Sequence, residues 1–238
     1  MSMQTLDTPN VADFVIADPR AASVFERFGI DYCCHGHQPL VAACASAGVA
    51  EADVRDALGA LGPPGSRAGF AGRPDDIGGL IGLVVGTYHT GLRRELPRLG
   101  GLFTKVLAAH GERHPELAAT RATFDEIADD LLPHLMKEER VLFPLAIELL
   151  GAVQMPQVHC GSVRNPISVM LHEHDRVGEL LATLRSQTGS YTVPADACPT
   201  WQALWAGLAA LEAETHEHIH LENNVLFPLI VELEARLG

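Results

Sequence analysis

Apolar residues recur at spacings of three and four along most of the chain. Ile81, Val85, His89, Leu92, Leu96 and Leu99 share one such stripe. Ile127, Leu131, His134, Glu138, Leu142, Leu145 and Leu149 form a second, and Ile167, Met170, His174, Val177, Leu181 and Leu184 a third. The fourth is Leu204, Leu208, Leu211, Thr215, His218, Glu222, Val225 and Leu229. This period marks helices with one face turned to a core. It predicts long helices over 76–99, 116–150, 165–185 and 200–237, and short ones near 11–14, 21–28, 38–47 and 51–61. No alternating strand pattern competes with them. The stretch LGPPGSRAGFAGRP, 61–74, is dense in glycine and proline and separates the two groups. The expectation is an all-α protein. A small helical domain spans 1–62, a linker over 63–74 lets it move, and an antiparallel four-helix bundle spans 75–238.

The bundle repeats itself. HLMKEERVLFPLAIEL begins at His134 and HIHLENNVLFPLIVEL at His218, and both read H-x-x-x-E-x-x-V-L-F-P-L-x-x-E-L. A weaker pair, His89 and His174, stands at nearly the same interval. Each repeat thus offers one histidine from its first helix, and from its second a histidine with a glutamate four residues on. A side chain four residues away lies one turn along on the same helix face. All six residues sit on the apolar stripes, where a bare charge is costly. A lone core histidine is usually satisfied by a hydrogen bond, but the same His–Glu pair in two matching frames points to metal ligation. Four imidazoles and two carboxylates give each of two cations two nitrogens and two oxygens, if both glutamates bridge. A solvent-derived bridge then leaves one position open on each. A nitrogen and oxygen set without thiolate suits iron or manganese, with zinc as a further candidate.

The remaining histidines divide by phase. His172, His216 and His220 lie two residues from a proposed ligand, so they should turn away to the periphery. His110, His114 and His159 are expected in or near solvated loops. Asp130 and Glu173 read as surface carboxylates, with the orientation of a ligand as their alternative role. Pro144 and Pro228 stand six residues after Glu138 and Glu222, and predict matching kinks just beyond the site.

Composition narrows the class. A net charge of −13 disfavours nucleic acid as a partner. The N-terminal stretch lacks the pattern of a secretory signal, and the most apolar run, IGGLIGLVVG, is too short to span a membrane. Five irregularly spaced cysteines suit a reducing compartment. A cytoplasmic protein is expected. Cys44, Cys160 and Cys198 read as small buried hydrophobes.

Cys33 and Cys34 differ, because they fall in FGIDYCCHGHQPL. Cys33, Cys34, His35 and His37 are too crowded to supply all four ligands of a structural zinc. A disulfide between neighbours would be strained. The stretch leads into a helix expected from Gln38, whose N-terminus would favour thiolate. A reactive thiol pair that passes a soft metal ion or cycles redox state is the preferred reading.

The repeated HLMKEERVLFP and HIHLENNVLFP, with His89 and His174, resemble the hemerythrin-like HHE cation-binding domain. FGIDYCCHGHQPL and its flanking helices resemble the N-terminal domain of the iron-sulfur cluster repair family, the RIC or ScdA/YtfE type. The order of the two resembles that family over nearly the whole chain. The resemblance implies a non-haem di-iron protein that repairs clusters damaged by nitrosative or oxidative stress, by iron donation. It implies two iron ions per chain with an oxo or hydroxo bridge, held by His89, His134, Glu138, His174, His218 and Glu222. It also implies a role for Cys33 and Cys34, with damaged iron-sulfur proteins as partners and a homodimer left open. Two alternatives stand beside it. One is a nitric oxide reductase or peroxidase-type enzyme; the other is hemerythrin-like oxygen binding or sensing. One departure is visible: the family stretch usually runs Cys-Cys-Gly-Gly, and here it is Cys33-Cys34-His35-Gly36-His37.

Overall fold

The computed structural model describes residues 9–62, 76–156 and 161–238. Among these, the regular structure is helical, apart from an isolated bridge between Asn10 and Pro39. α1 (Val11–Ala17) starts at a capping box in which Asn10 and Asp13 each accept the other's backbone N–H at 2.9 Å. α2 (Ala21–Phe28) and α3 (Leu40–Ala47) end on Gly29 and Gly48, at φ 65° and 69°. Only glycine enters that left-handed region freely. α3 starts behind Pro39 rather than at Gln38. α4 (Glu51–Gly59) completes the small domain.

Four long helices form the bundle: α5 from Ile77 through His110, α6 from Glu116 through Gly151, α7 (Arg164–Gln187), and α8 from Pro199 through Leu237. α5 lies chiefly along α8, and α6 along α7. The linker expected at 63–74 lies outside the described residues. α5 runs through Pro97 and on past Leu99, its expected end, through Gly100 and Gly101. Leu96, Leu99, Phe103 and Val106 keep one buried face across these breakers. Packing along that face overrides local propensity. Among the described residues no helix is long and apolar enough to cross a membrane.

Three of the long helices contain a π turn: Val84–His89 in α5, Glu138–Leu142 in α6 and Glu222–Leu226 in α8. Proline explains two of them. A proline ring collides with the carbonyl four residues back and offers it no N–H. Ahead of Pro144 and Pro228 the turn widens instead, so that Phe143 N–H reaches the Glu138 carbonyl and Phe227 N–H the Glu222 carbonyl. The kinks expected beyond the site are therefore π turns that begin at the glutamates themselves.

Two of the π turns, those of α5 and α8, slip the buried stripe by one residue. Beyond Glu222 the buried residues are Leu226, Phe227 and Ile230, whereas Val225 and Leu229 are only half-buried. Ahead of His89 they are Ile77, Leu80 and Val84, not Ile81 and Val85. α7 has no π turn, and all its expected stripe positions are buried.

Two apolar cores flank the layer of histidines and glutamates. One, at the opening of the bundle, joins Ile77, Leu80, Phe143, Ile167, Phe227 and Ile230. The other unites Phe103, Trp201 and Trp205 of the bundle with Val11, Phe25 and Leu40 of the small domain. Burying one such Phe contributes about 2 kcal/mol. The small domain is thus packed onto the bundle through a shared core.

Candidate metal centre

The six residues picked out by helical phase converge in the middle of the bundle, each at most 1% exposed. They form two groups: His89, Glu138, His218 and Glu222, and His134, Glu138, His174 and Glu222. Within each group the possible ligand atoms lie within 4.8 Å of one another. Both groups contain both glutamates. Each takes its histidines from opposite repeats, so the approximate internal symmetry exchanges the two groups rather than building one from each repeat.

The atoms face a common centre. Nε2 of His89 and His134 lie 3.3 and 3.4 Å from Glu138 Oε2. Nε2 of His174 and His218 lie 3.3 and 3.0 Å from Glu222 oxygens. The oxygens of Glu138 and Glu222, and Nε2 of His89 and His218, are nonetheless not aligned for hydrogen bonds. Nε2 of His134 and His174 face each other at 3.0 Å. Burial, then repulsion from Glu222, pushes the Glu138 carboxyl well above its ordinary range. Burial would raise Glu222 too, but the charge of His218 and the approach of His174 hold it well below. Burial and the neighbouring His174 push His134 down to about 4. Without a cation the two carboxylates do not both stay ionised. Unaligned, fully buried donors of this kind fit a pair of cations between them.

Three of the imidazoles are oriented from behind. His89 Nδ1 donates to Glu139 Oε1 at 2.7 Å, His134 Nδ1 to Glu173 Oε2 at 2.9 Å, and His174 Nδ1 to Asn223 Oδ1 at 2.7 Å. Such partners fix the tautomer and raise ligand basicity. Glu139 is itself held by Arg93, and Glu173 by Lys137. His218 Nδ1 has no hydrogen-bond partner among the described residues; its ring stacks on Tyr88, 5.4 Å between centroids. Glu173 is thus an orienting residue, not the surface carboxylate favoured from sequence, whereas Asp130 pairs with Arg176. Glu139 and Asn223 were missed, although the repeat marks them: each directly follows its glutamate.

Two other histidines depart from expectation. His220 is not peripheral but 1% exposed, with Nδ1 3.1 Å from the Tyr32 carbonyl. A face turned from the candidate ligands is here covered by the small domain. His110 is buried against Trp201 in the last turn of the lengthened α5, not in a solvated loop. His114 pairs with Glu116 and Asp196, His216 approaches Glu26, and His172 is exposed. His159 and Cys160 lie outside the described residues.

Cys33 and Cys34 lie in a turn well ahead of α3, not at its N-terminus. The Cys33 thiol is 4% exposed; its hydrogen bond with Cys34, then burial, raises its pKa well above the ordinary value. The expected thiolate at this position is therefore a thiol. Asn223 and Asn224 donate to the Cys33 carbonyl at 3.3 and 3.0 Å, and Cys34 Sγ lies 3.7 Å from the His174 carbonyl. The pair rests directly behind a residue of the layer of histidines and glutamates. Gly36 closes the turn, because a Cβ there would fall 2.4 Å from the Tyr32 carbonyl oxygen. Position 35 faces outward, which accommodates a histidine.

Residues 84–230 match the model of the hemerythrin HHE cation binding domain. Residues 8–62 match a domain of unknown function, DUF542. The chain is 36% identical over 227 residues to the iron-sulfur cluster repair protein YtfE of Musicola paradisiaca, covering 95% of this chain and 97% of the relative. It is 33% identical over 217 residues to the iron-sulfur cluster repair protein ScdA of Staphylococcus haemolyticus, covering 91% and 95%. With both domain matches in the same order and similarity along nearly the whole length, the chain belongs to the YtfE/ScdA family of iron-sulfur cluster repair proteins.

Proposed function

We propose that this chain is a non-haem di-iron protein that restores iron-sulfur clusters damaged by nitrosative or oxidative stress, by donating iron. One observation carries the reading: two groups of two imidazoles share the same pair of buried carboxylates. The names of the relatives supply the process. His89, His134, Glu138, His174, His218 and Glu222 would hold the irons, with Glu138 and Glu222 bridging, and manganese or zinc as substitutes. Bound there, iron supplies a redox-active cation pair able to meet nitric oxide, oxygen or peroxide. Glu139, Glu173 and Asn223 keep three imidazoles in the tautomer that presents Nε2 inward. Glu138 releases its proton when cations enter, so loading depends on pH. The thiol pair packed behind His174 favours repair over plain oxygen carriage, which has no use for thiols. A reducing cytoplasm is the compartment this reading requires, and damaged iron-sulfur proteins are the partners.

The test loads the protein with isotope-labelled iron and adds an aconitase-type enzyme with a damaged cluster. Labelled iron should enter the client as its activity returns, faster than from an equal amount of free iron. Catalytic release of nitrous oxide from nitric oxide, with no label in the client, would favour turnover at the centre instead.

A further inference from the structure

Asp31 builds the thiol turn. Its Oδ1 accepts the backbone N–H groups of Cys33 and Cys34 at 3.0 and 2.9 Å, and the Cys33 thiol at 3.3 Å. This folds both cysteines back over one carboxylate. The two sulfurs stand 3.7 Å apart. Asp31 Oδ and both Sγ atoms lie within 4.8 Å of one another.

These spacings match a coordination sphere. At metal–sulfur bonds of about 2.3 Å, two thiolates on a tetrahedral cation stand about 3.8 Å apart; a carboxylate oxygen at about 2.1 Å stands about 3.6 Å from each sulfur. The turn is held from outside as well. Asn223 and Asn224 grip the Cys33 carbonyl, His220 grips that of Tyr32, and His35 Nδ1 donates to Asp31 Oδ2 at 2.7 Å. A histidine holding the second oxygen orients the first.

The three residues line a cavity of about 580 Å³ between the small domain, α7 and α8. Glu26, Asp175, Glu179 and Glu212 line it too, against the cation Arg185. A cleft of that balance concentrates cations.

We propose that Asp31, Cys33 and Cys34 form a third metal site, for one thiophilic divalent cation, with its fourth position open to this cleft. On entry each thiol gives its proton to solvent as a sulfur–metal bond forms, and no electron moves. This donor set is softer than the oxygen and nitrogen set of the bundle. It stands beside His174, since Cys34 Sγ is 3.7 Å from that residue's carbonyl. If the bundle is the iron store, this is where iron on its way to a client would be held. That last step rests on the proposed function; the binding does not.

The experiment loads the full chain with ferric iron, counts the metal, and then titrates cobalt(II) without oxygen. One cobalt per chain should bind with a sulfur-to-cobalt charge-transfer band in the near ultraviolet. None of the six proposed bundle ligands is a thiol, so the band is read as the change on adding cobalt to the iron-loaded protein, and its loss in the cysteine variants assigns it to this site. Cys33→Ser and Cys34→Ser should abolish it. Asp31→Asn keeps an oxygen for the turn but removes the charge, and should weaken cobalt binding about 10-fold or more, with bundle iron unchanged. No band in the wild type, a band surviving Cys34→Ser, or wild-type affinity in Asp31→Asn would overturn the proposal. A shortfall of bundle iron before cobalt is added would count against the di-iron reading, and the band would still decide this one.

Discussion

On the side of the centre formed by His134 and His174, both imidazoles donate Nδ1–H to an acceptor, Glu173 and Asn223. On the side formed by His89 and His218 only His89 does so. The internal repeat shows how the difference arose. Asn223 and Glu139 occupy matching positions, directly after Glu222 and Glu138, and each orients a histidine of its partner helix. Glu173 and Tyr88 also match, directly before His174 and His89. Glu173 gives His134 an acceptor, whereas Tyr88 gives His218 a stacked ring. Repetition copied the donors of the centre but not their surroundings. Two cations in such a centre would be supported unequally from behind, although their nearest atoms would be the same in kind.

The shared carboxylates are the place where this comparison collapses. Glu138→Ala or Glu222→Ala takes an anion from both sides at once, so metal content should fall from two toward none. The melting temperature should drop with it, because binding energy is folding energy here. Full occupancy in either variant would show that the glutamates are not shared.

Single histidines separate the sides. His134→Ala and His218→Ala should each remove at least one cation, while His172→Ala, on an exposed position, should leave both. Metal analysis after anaerobic loading reads this directly, and equal losses in all three would mean that the centre lies elsewhere.

The orienting groups test the asymmetry itself. Glu173→Gln should weaken one cation about 10- to 100-fold, the usual cost of losing such a partner. Tyr88→Phe keeps the ring against His218 and should change affinity by less than about 2-fold. Competition with a chelator would measure both. A large effect of Tyr88→Phe would mean that the tyrosine hydroxyl, not the ring, supports His218.

The smallest effect is seen in metal-free protein. His134 is held at about 4, below the ordinary 6.5. Between these values the unfolded chain takes up a proton that the folded chain refuses, so stability is present above about 6.5 and is lost as pH falls toward 4. Urea unfolding across that window should show a shallower loss in His134→Gln than in the wild type.

Much of this was legible because two sequence signals agreed. The repeat and the helical phase selected the same six residues, and α7 follows its apolar stripe from Ile167 to Leu184 without a slip. The other helices show the limit. The patterns around Val85 and Val225 continue an ideal period, but the π turns beside them move the buried positions by one. A proline announces two of these turns, yet a hydrophobic pattern records only periodicity and not the pitch on either side of a break. His220 and the thiol turn were misread for another reason. Their environment is set by contact between Tyr32, Cys33 and α8, which lie far apart in the chain, as in the bond from Asn224 to the Cys33 carbonyl. No local pattern encodes such a contact.

The π turns also constrain how the chain can change in length. A π turn carries one residue more than the helix it interrupts. Deleting one residue between Glu138 and Pro144 would return α6 to ordinary pitch and rotate everything beyond by about 100°. Phe143, Ala146 and Leu149 would leave the core, and the proline ring would meet the carbonyl it now avoids. An inserted residue would do comparable harm in the opposite sense. The same holds in α8, where Phe227 and Ile230 depend on the spare residue after Glu222. Natural variation in length should therefore be confined to the connections between helices.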